Sequence, residues 1–96
     1  MNTYELRPFK PTGITQPISF YEKVPSTPNG DEVEEIDGTT LEELLRVGIS
    51  RLQDLNSRFG CRENSIAITK MQEALMWLNE RTRDREERGV EGKHEA

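Results

Sequence analysis

The chain has 96 residues, of which 32% are apolar and 32% charged, with a formal net charge of −5. That length allows one small domain, and so little apolar material predicts that partner chains complete the core, giving a homo-oligomer. The acidic balance excludes a broad face for long nucleic acid, which needs clustered cations to displace counterions. No apolar run is long enough to span a membrane, and "MNTYELRPFK" lacks the apolar centre of a signal peptide.

Residues 1–39 hold all five prolines and predict no good helix. They read as an extended arm, with at best a short edge strand over Ile18 to Val24 between Pro17 and Pro25. Asn29-Gly30 is a turn signal with positive φ angles. The acidic "DEVEEIDG" that follows reads as a solvated linker. Tyr21 and Lys23 form an aromatic–basic pair on this arm, able either to close over a ligand or to pack on a neighbouring subunit.

From Thr40 to Gly89 the pattern is helical. Thr40 and Glu43 make a T-x-x-E capping box. Leu41, Leu45, Gly48, Leu52, Leu55 and Phe59 then recur at 4-3-4-3-4, an apolar seam on one face, with Leu44, Val47 and Ile49 widening it. Gly48 costs about 1 kcal/mol of helix propensity and would let another backbone come close. Gly60 is expected to end this helix in the left-handed conformation. A second helix is predicted from about Glu63 to about Arg88, with Asn64 or Ser65 as alternative caps. Its seam is Ile68, Met71, Leu75, Leu78 and Thr82, and Ala67, Ala74 and Trp77 form a second stripe suited to another protomer. The short connection makes the helices antiparallel. Gly89 ends the second helix and residues 90–96 read as a flexible tail. The fold class is therefore mainly α: a two-helix hairpin with an extended N-terminal arm, assembled into a helical oligomer.

The chemistry of the chain is sparse. His94 is the sole histidine and lies in the tail, so no His-based triad is predicted, and no glycine-rich phosphate loop occurs. Cys61 has no CxxC or HxxH companion, so neither metal nor disulfide is expected and no cofactor is implied. No catalytic residue is assigned.

Arginine remains. Arg62 stands at the start of the second helix, a position where a cation opposes the helix dipole by about 0.3–1 kcal/mol. With the free amides there and with Asn64, Ser65 and Thr69 following, it composes an anion site suited to phosphate. The competing reading is that Arg62 pairs with Glu63 or faces water. Further along, Arg81, Arg85 and Arg88 share a face below Trp77, an arrangement that could stack a purine and hold its phosphate. Alternatively, Glu80, Asp84 and Glu87 neutralise these arginines in an ordinary salt-bridged helix end.

The segment "CRENSIAITKMQEALMWLNERTRDREERGVEGKH" resembles the helical-hairpin proteins with which bacteriophages sequester bacterial immune nucleotides, the second anti-CBASS and first Thoeris anti-defence proteins. The shared features are the R-E-x-S-like helix start at Arg62 to Ser65, the A-x-T-K-x-x-E-A-x-M-W run from Ala67 to Trp77, and the arginine-rich end that closes on Arg88-Gly89. They cover roughly Thr40 to His94. The resemblance implies a sponge that binds cyclic di- or trinucleotides or cyclic ADP-ribose derivatives without cleaving them, in the cytoplasm of the infected host. It also implies a homo-oligomer, commonly a hexamer, with Arg62 at the position that contacts trinucleotide phosphates. Residues 1–39 do not resemble the N-terminal segments of those proteins. A second expectation, from the helical seam and acidic arm, is a module that occludes a host protein.

Overall fold

The computed structural model describes residues 2–89. The element order is β1 (Thr3–Leu6), β2 (Gln16–Ser19), β3 (Glu22–Pro25), β4 (Val33–Ile36), α1 (Leu41–Arg58) and α2 (Arg62–Glu87). The chain divides into two compact units, Met1–Thr40 and Leu41–Ala96.

The N-terminal unit corrects the reading of an arm and linker, because it holds two antiparallel two-stranded ribbons, β1–β2 and β3–β4. The single strand expected over Ile18 to Val24 is broken at Phe20 and Tyr21 and shared between β2 and β3. In the first ribbon Thr3 faces Ser19 and Leu6 faces Gln16. The Thr3 and Ser19 hydroxyls share a hydrogen bond of 3.0 Å, and the Tyr4 and Phe20 rings meet edge-on with centroids 5.7 Å apart. Cross-strand contacts of this kind stabilise a ribbon. Pro17 and Pro25 fit within strands here because every strand of a two-stranded ribbon is an edge.

The acidic stretch expected to be a linker supplies β4, whose residues stay exposed. In the second ribbon Lys23 lies opposite Glu35, with the ammonium 3.8 Å from the carboxylate. Gly30 has φ of 75° in the intervening turn, and Asn29 keeps a negative φ. After β4 the chain runs parallel beside the end of β2: the Tyr21 N–H donates to the Thr39 carbonyl and the Thr39 N–H to the Ser19 carbonyl, both at 2.9 Å. A Cβ on Gly38 would stand 2.5 Å from the Phe20 carbonyl carbon, so only glycine lets the two backbones lie this close.

The second unit is the predicted hairpin, its helices joined by Phe59, Gly60 and Cys61. Glu42 near the start of α1 meets Thr82 and Arg81 near the end of α2, which fixes the antiparallel arrangement. The inward face of α2 is Ile68, Met71, Leu75, Leu78 and Thr82, all half-buried, as the 3-4-3-4 spacing predicts. On α1 the seam differs in part. Leu45, Gly48, Leu52 and Leu55 face inward, but Leu41 and Phe59, at its ends, are exposed, Phe59 at 77%. Ile49, which the spacing placed on the wider flank, is the one buried apolar residue among those described, at 8% exposure. The core lies between the helices around Ile49.

Gly48 meets a side chain and not a backbone: the nearest atom to a Cβ built there is the Met71 sulfur at 3.8 Å, an ordinary contact. Gly48→Ala is therefore expected to raise hairpin stability by about 1 kcal/mol through helix propensity, read as a higher urea midpoint. If instead it splits assemblies seen by sedimentation, a second chain packs on that spot.

Candidate functional site

The site is built from the helix junction upward. Phe59 continues the α1 hydrogen-bond ladder by one N–H, to Leu55 at 2.8 Å. Gly60 is not left-handed as expected; among the described residues only Gly30 and Gly89 have positive φ. The turn is closed by a side chain that the sequence reading did not single out. The Asn56 carbonyl oxygen Oδ1 accepts the Cys61 N–H at 3.1 Å, and its Nδ2 donates to the Ser65 hydroxyl at 3.2 Å. Asn56 thus ties the end of α1 to the first turn of α2. Asparagine next to a helix end is the available signal, since its short amide satisfies backbone groups that the helix leaves over.

The cap of α2 is Cys61, and neither Asn64 nor Ser65. Its backbone is extended (φ −152°, ψ 160°), and its sulfur accepts the Asn64 N–H at 3.4 Å. Sulfur is a weak acceptor, and an oxygen at this position is the preferred cap. Cys61→Ser should therefore raise the melting temperature, while Cys61→Ala should cost about 0.5–2 kcal/mol. Equal melting of the two variants would remove the thiol from the cap.

With Cys61 capping, Arg62 is the first residue of the helix. The Asn64 N–H goes to the Cys61 sulfur and the Ser65 N–H to the Cys61 carbonyl at 3.2 Å. The Arg62 and Glu63 N–H groups have no intramolecular acceptor among the described residues. They are the ordinary orphan donors of a helix start, and they add the positive end of the dipole to the Arg62 guanidinium.

A shallow hollow lies on this end of α2, lined by Arg62, Ser65, Ile66, Thr69 and Lys70. It brings together three of the four residues predicted for the helix-start site. Asn64 is not among them; it is half-buried four residues before Ile68, on the α1-facing side. The Thr69 hydroxyl turns back to the Ser65 carbonyl at 3.1 Å. Lys70 belongs to the hollow although it was not singled out; it follows Thr69 in the T-K pair.

The charge pattern separates this patch from most of the hairpin, where Arg85 alone of the other arginines lacks an ion pair among the described residues. Arg46, Arg51, Arg58, Arg81, Arg83 and Arg88 each face a carboxylate. The tightest pairs move titration in the expected directions: the hydrogen bond from Arg46, whose Nε lies 2.9 Å from Glu43, holds that carboxyl below its usual range, and Glu80 raises the already high pKa of Arg83. Arg62 and Lys70 form no ion pair among the described residues, and the expected alternative partner, Glu63, does not bind Arg62.

The second predicted cluster is spread along the far half of α2. Trp77 is 61% exposed. Arg81 is 4.0 Å from Glu42 and Arg88 is 3.0 Å from Asp84, so both have internal carboxylates; Arg85 is half-buried and forms no ion pair among the described residues. The nearby concavity is formed by Gln72, Leu75, Met76, Asn79, Glu80 and Arg83, and by none of these four. Tyr21 and Lys23 belong to the N-terminal unit, where both turn to Glu35. Partial desolvation first, then the charge and hydrogen bond of Glu35 and the charge of Asp37, push the Tyr21 hydroxyl pKa up. The expected tail with His94 lies outside the described residues.

Among the described residues no group of three metal-ligating side chains occurs, and no helix is long and apolar enough to cross a membrane. The second unit is thus a helical-hairpin domain whose second helix carries in its first half two cations, Arg62 and Lys70, that form no ion pair among the described residues. Residues 22–83 match the family described as "Acb2/Tad1, hairpin domain", and the chain belongs to that family. The match begins at β3, so it takes in the second ribbon as well as the hairpin. Over 60 residues, 62% of its length, the chain is 60% identical to "Thoeris anti-defense 1" of Bacillus phage SBSphiJ7, and the matched stretch spans 42% of that relative.

Proposed function

We propose that the chain is a bacteriophage anti-defence sponge that binds cyclic oligonucleotide immune signals in the cytoplasm of the infected host and releases them unaltered. The ligand class is a cyclic di- or trinucleotide or a cyclic ADP-ribose derivative. The phage relative named for anti-defence supports the setting. The observation that carries the binding reading is Arg62: a guanidinium held at the positive end of a helix, without a carboxylate among the described residues, in a chain of formal net charge −5. Such a cation costs stability unless an anion joins it, and a charge-assisted bond to phosphate of about 1.5–3 kcal/mol outweighs the dipole penalty.

Assembly completes the scheme. With Ile49 as the single buried apolar residue among those described, and Leu41, Leu44, Val47, Ile66, Met76 and Trp77 exposed on the helices, the chain gains most of its missing burial by packing on copies of itself. In a hexamer, three protomers around a three-fold axis would each offer one Arg62 and one helix start to one phosphate of a cyclic trinucleotide. Trp77, Arg81, Arg85, Arg88, Tyr21 and Lys23 are the residues proposed for other ligand contacts.

Calorimetry of the native chain with cyclic tri-adenylate, cyclic GMP–AMP and a cyclic ADP-ribose isomer tests the proposal, together with native mass spectrometry of the complex. Binding of at least one ligand, recovered intact after heating, is expected. A degraded ligand points to an enzyme, and silence toward all three overturns the proposal. The exposed carboxylates of β4 favour a second reading, an occluder of a basic host protein; a single stoichiometric protein captured from lysate, with no nucleotide bound, would favour it.

A further inference from the structure

We propose that Lys70 is a second ligand-contacting cation of the site headed by Arg62, and that the two hold anionic groups on either side of the exposed Ile66; the inference rests on the binding reading above. Arg62, Ile66 and Lys70 line one hollow. They occupy successive turns, and Arg62 and Lys70 are eight residues apart, about 12 Å along the helix axis. One small ion does not need two cations so far apart. A ligand with more than one phosphate, or with a phosphate beside an apolar sugar or base face, does.

The helix makes this patch bare through its sequence. Arg62 has Ser65 and Ile66 at i+3 and i+4, and Lys70 has Ile66 and Ala67 one turn back and Ala74 one turn on. Its acidic neighbour Glu73 stands at i+3, yet no bridge forms. Elsewhere on the hairpin the i, i+3 and i, i+4 positions carry carboxylates that do pair, as in Glu43–Arg46, Asp54–Arg58 and Asp84–Arg88. Arg62 and Lys70 thus flank an apolar step without an ion pair among the described residues, although Glu63 and Glu73 lie within one turn of them. The division of labour follows from the side chains: Arg62 offers a planar fork to phosphate oxygens, and Lys70 a mobile point charge that adapts to a second anionic group.

Cyclic tri-adenylate is the probe. Lys70→Gln should weaken its binding about five- to tenfold and flatten the salt dependence of the dissociation constant, while Lys70→Arg retains both. A lysine-acylating reagent read by mass spectrometry gives a second measure on the native chain: the bound nucleotide should protect Lys70 and leave the exposed Lys10 reactive. If Lys70→Gln binds like the native chain with the same salt dependence, or Lys70 acylates equally with and without nucleotide, this inference is overturned while loss of binding in Arg62→Ala keeps the sponge reading. A native chain that binds none of the three cyclic nucleotides overturns both.

Discussion

Arg62→Ala is expected to weaken cyclic trinucleotide binding on the order of a thousandfold or more, while leaving the hairpin as stable as before or slightly more so. Each guanidinium–phosphate contact contributes about 1.5–3 kcal/mol, and in the proposed assembly a three-fold ring ligand would make three of them at once. Removing the side chain also relieves its unfavourable position at the positive helix end, about 0.3–1 kcal/mol. Lost binding with unlowered stability is the signature of a residue kept for a ligand, since a structural residue loses both together. Arg62→Lys should fall between, because the charge remains and the fork is gone. Calorimetry and urea unfolding on the same preparations decide the matter: unchanged trinucleotide affinity in Arg62→Ala removes Arg62 from the site.

The second large effect falls on Ile49. As the residue around which the hairpin core closes, it should cost about 2–4 kcal/mol when cut to alanine, the transfer and cavity terms adding. Small domains hold only several kcal/mol in total, so Ile49→Ala should leave the hairpin largely unfolded at physiological temperature. Ile49→Leu keeps the volume and should cost less than about 1.5 kcal/mol. Far-UV circular dichroism against temperature reports both. An Ile49→Ala melt that matches the native chain would mean that the stabilising core lies between protomers.

Against stability, acid acts through the surface pairs in a definite direction. Glu43 has its folded pKa lowered by Arg46, so its contribution is present above the unfolded carboxylate pKa and disappears as pH falls through the folded value.

The second helix and its inward face were legible because helical periodicity is local: apolar residues every three or four positions must share a face whatever else the chain does. The same holds for Gly89, whose positive φ of 71° follows from its place just past the helix end. The seam of α1 was read one step off at its ends. Spacing ranks Leu41, Ile49 and Phe59 alike as apolar, but only the position of the opposing helix chooses Ile49 and leaves Leu41 and Phe59 exposed. The ribbons were missed for a different reason. A four-residue strand such as Val33–Ile36 carries no period of its own, and its partner, Glu22–Pro25, lies across a turn that sequence alone leaves without a register.

By itself the sequence determined the hairpin, the antiparallel run of its helices and the presence of an arginine where a helix begins, since each depends on residues within a few positions of one another. Only the tertiary structure decided that Asn56 ties the two helices at the turn, that Ile49 is the buried centre between them, and that Leu41 and Phe59 stay exposed. Those outcomes depend on where side chains meet in space, and a one-dimensional pattern carries that information only through contacts that the fold must first create.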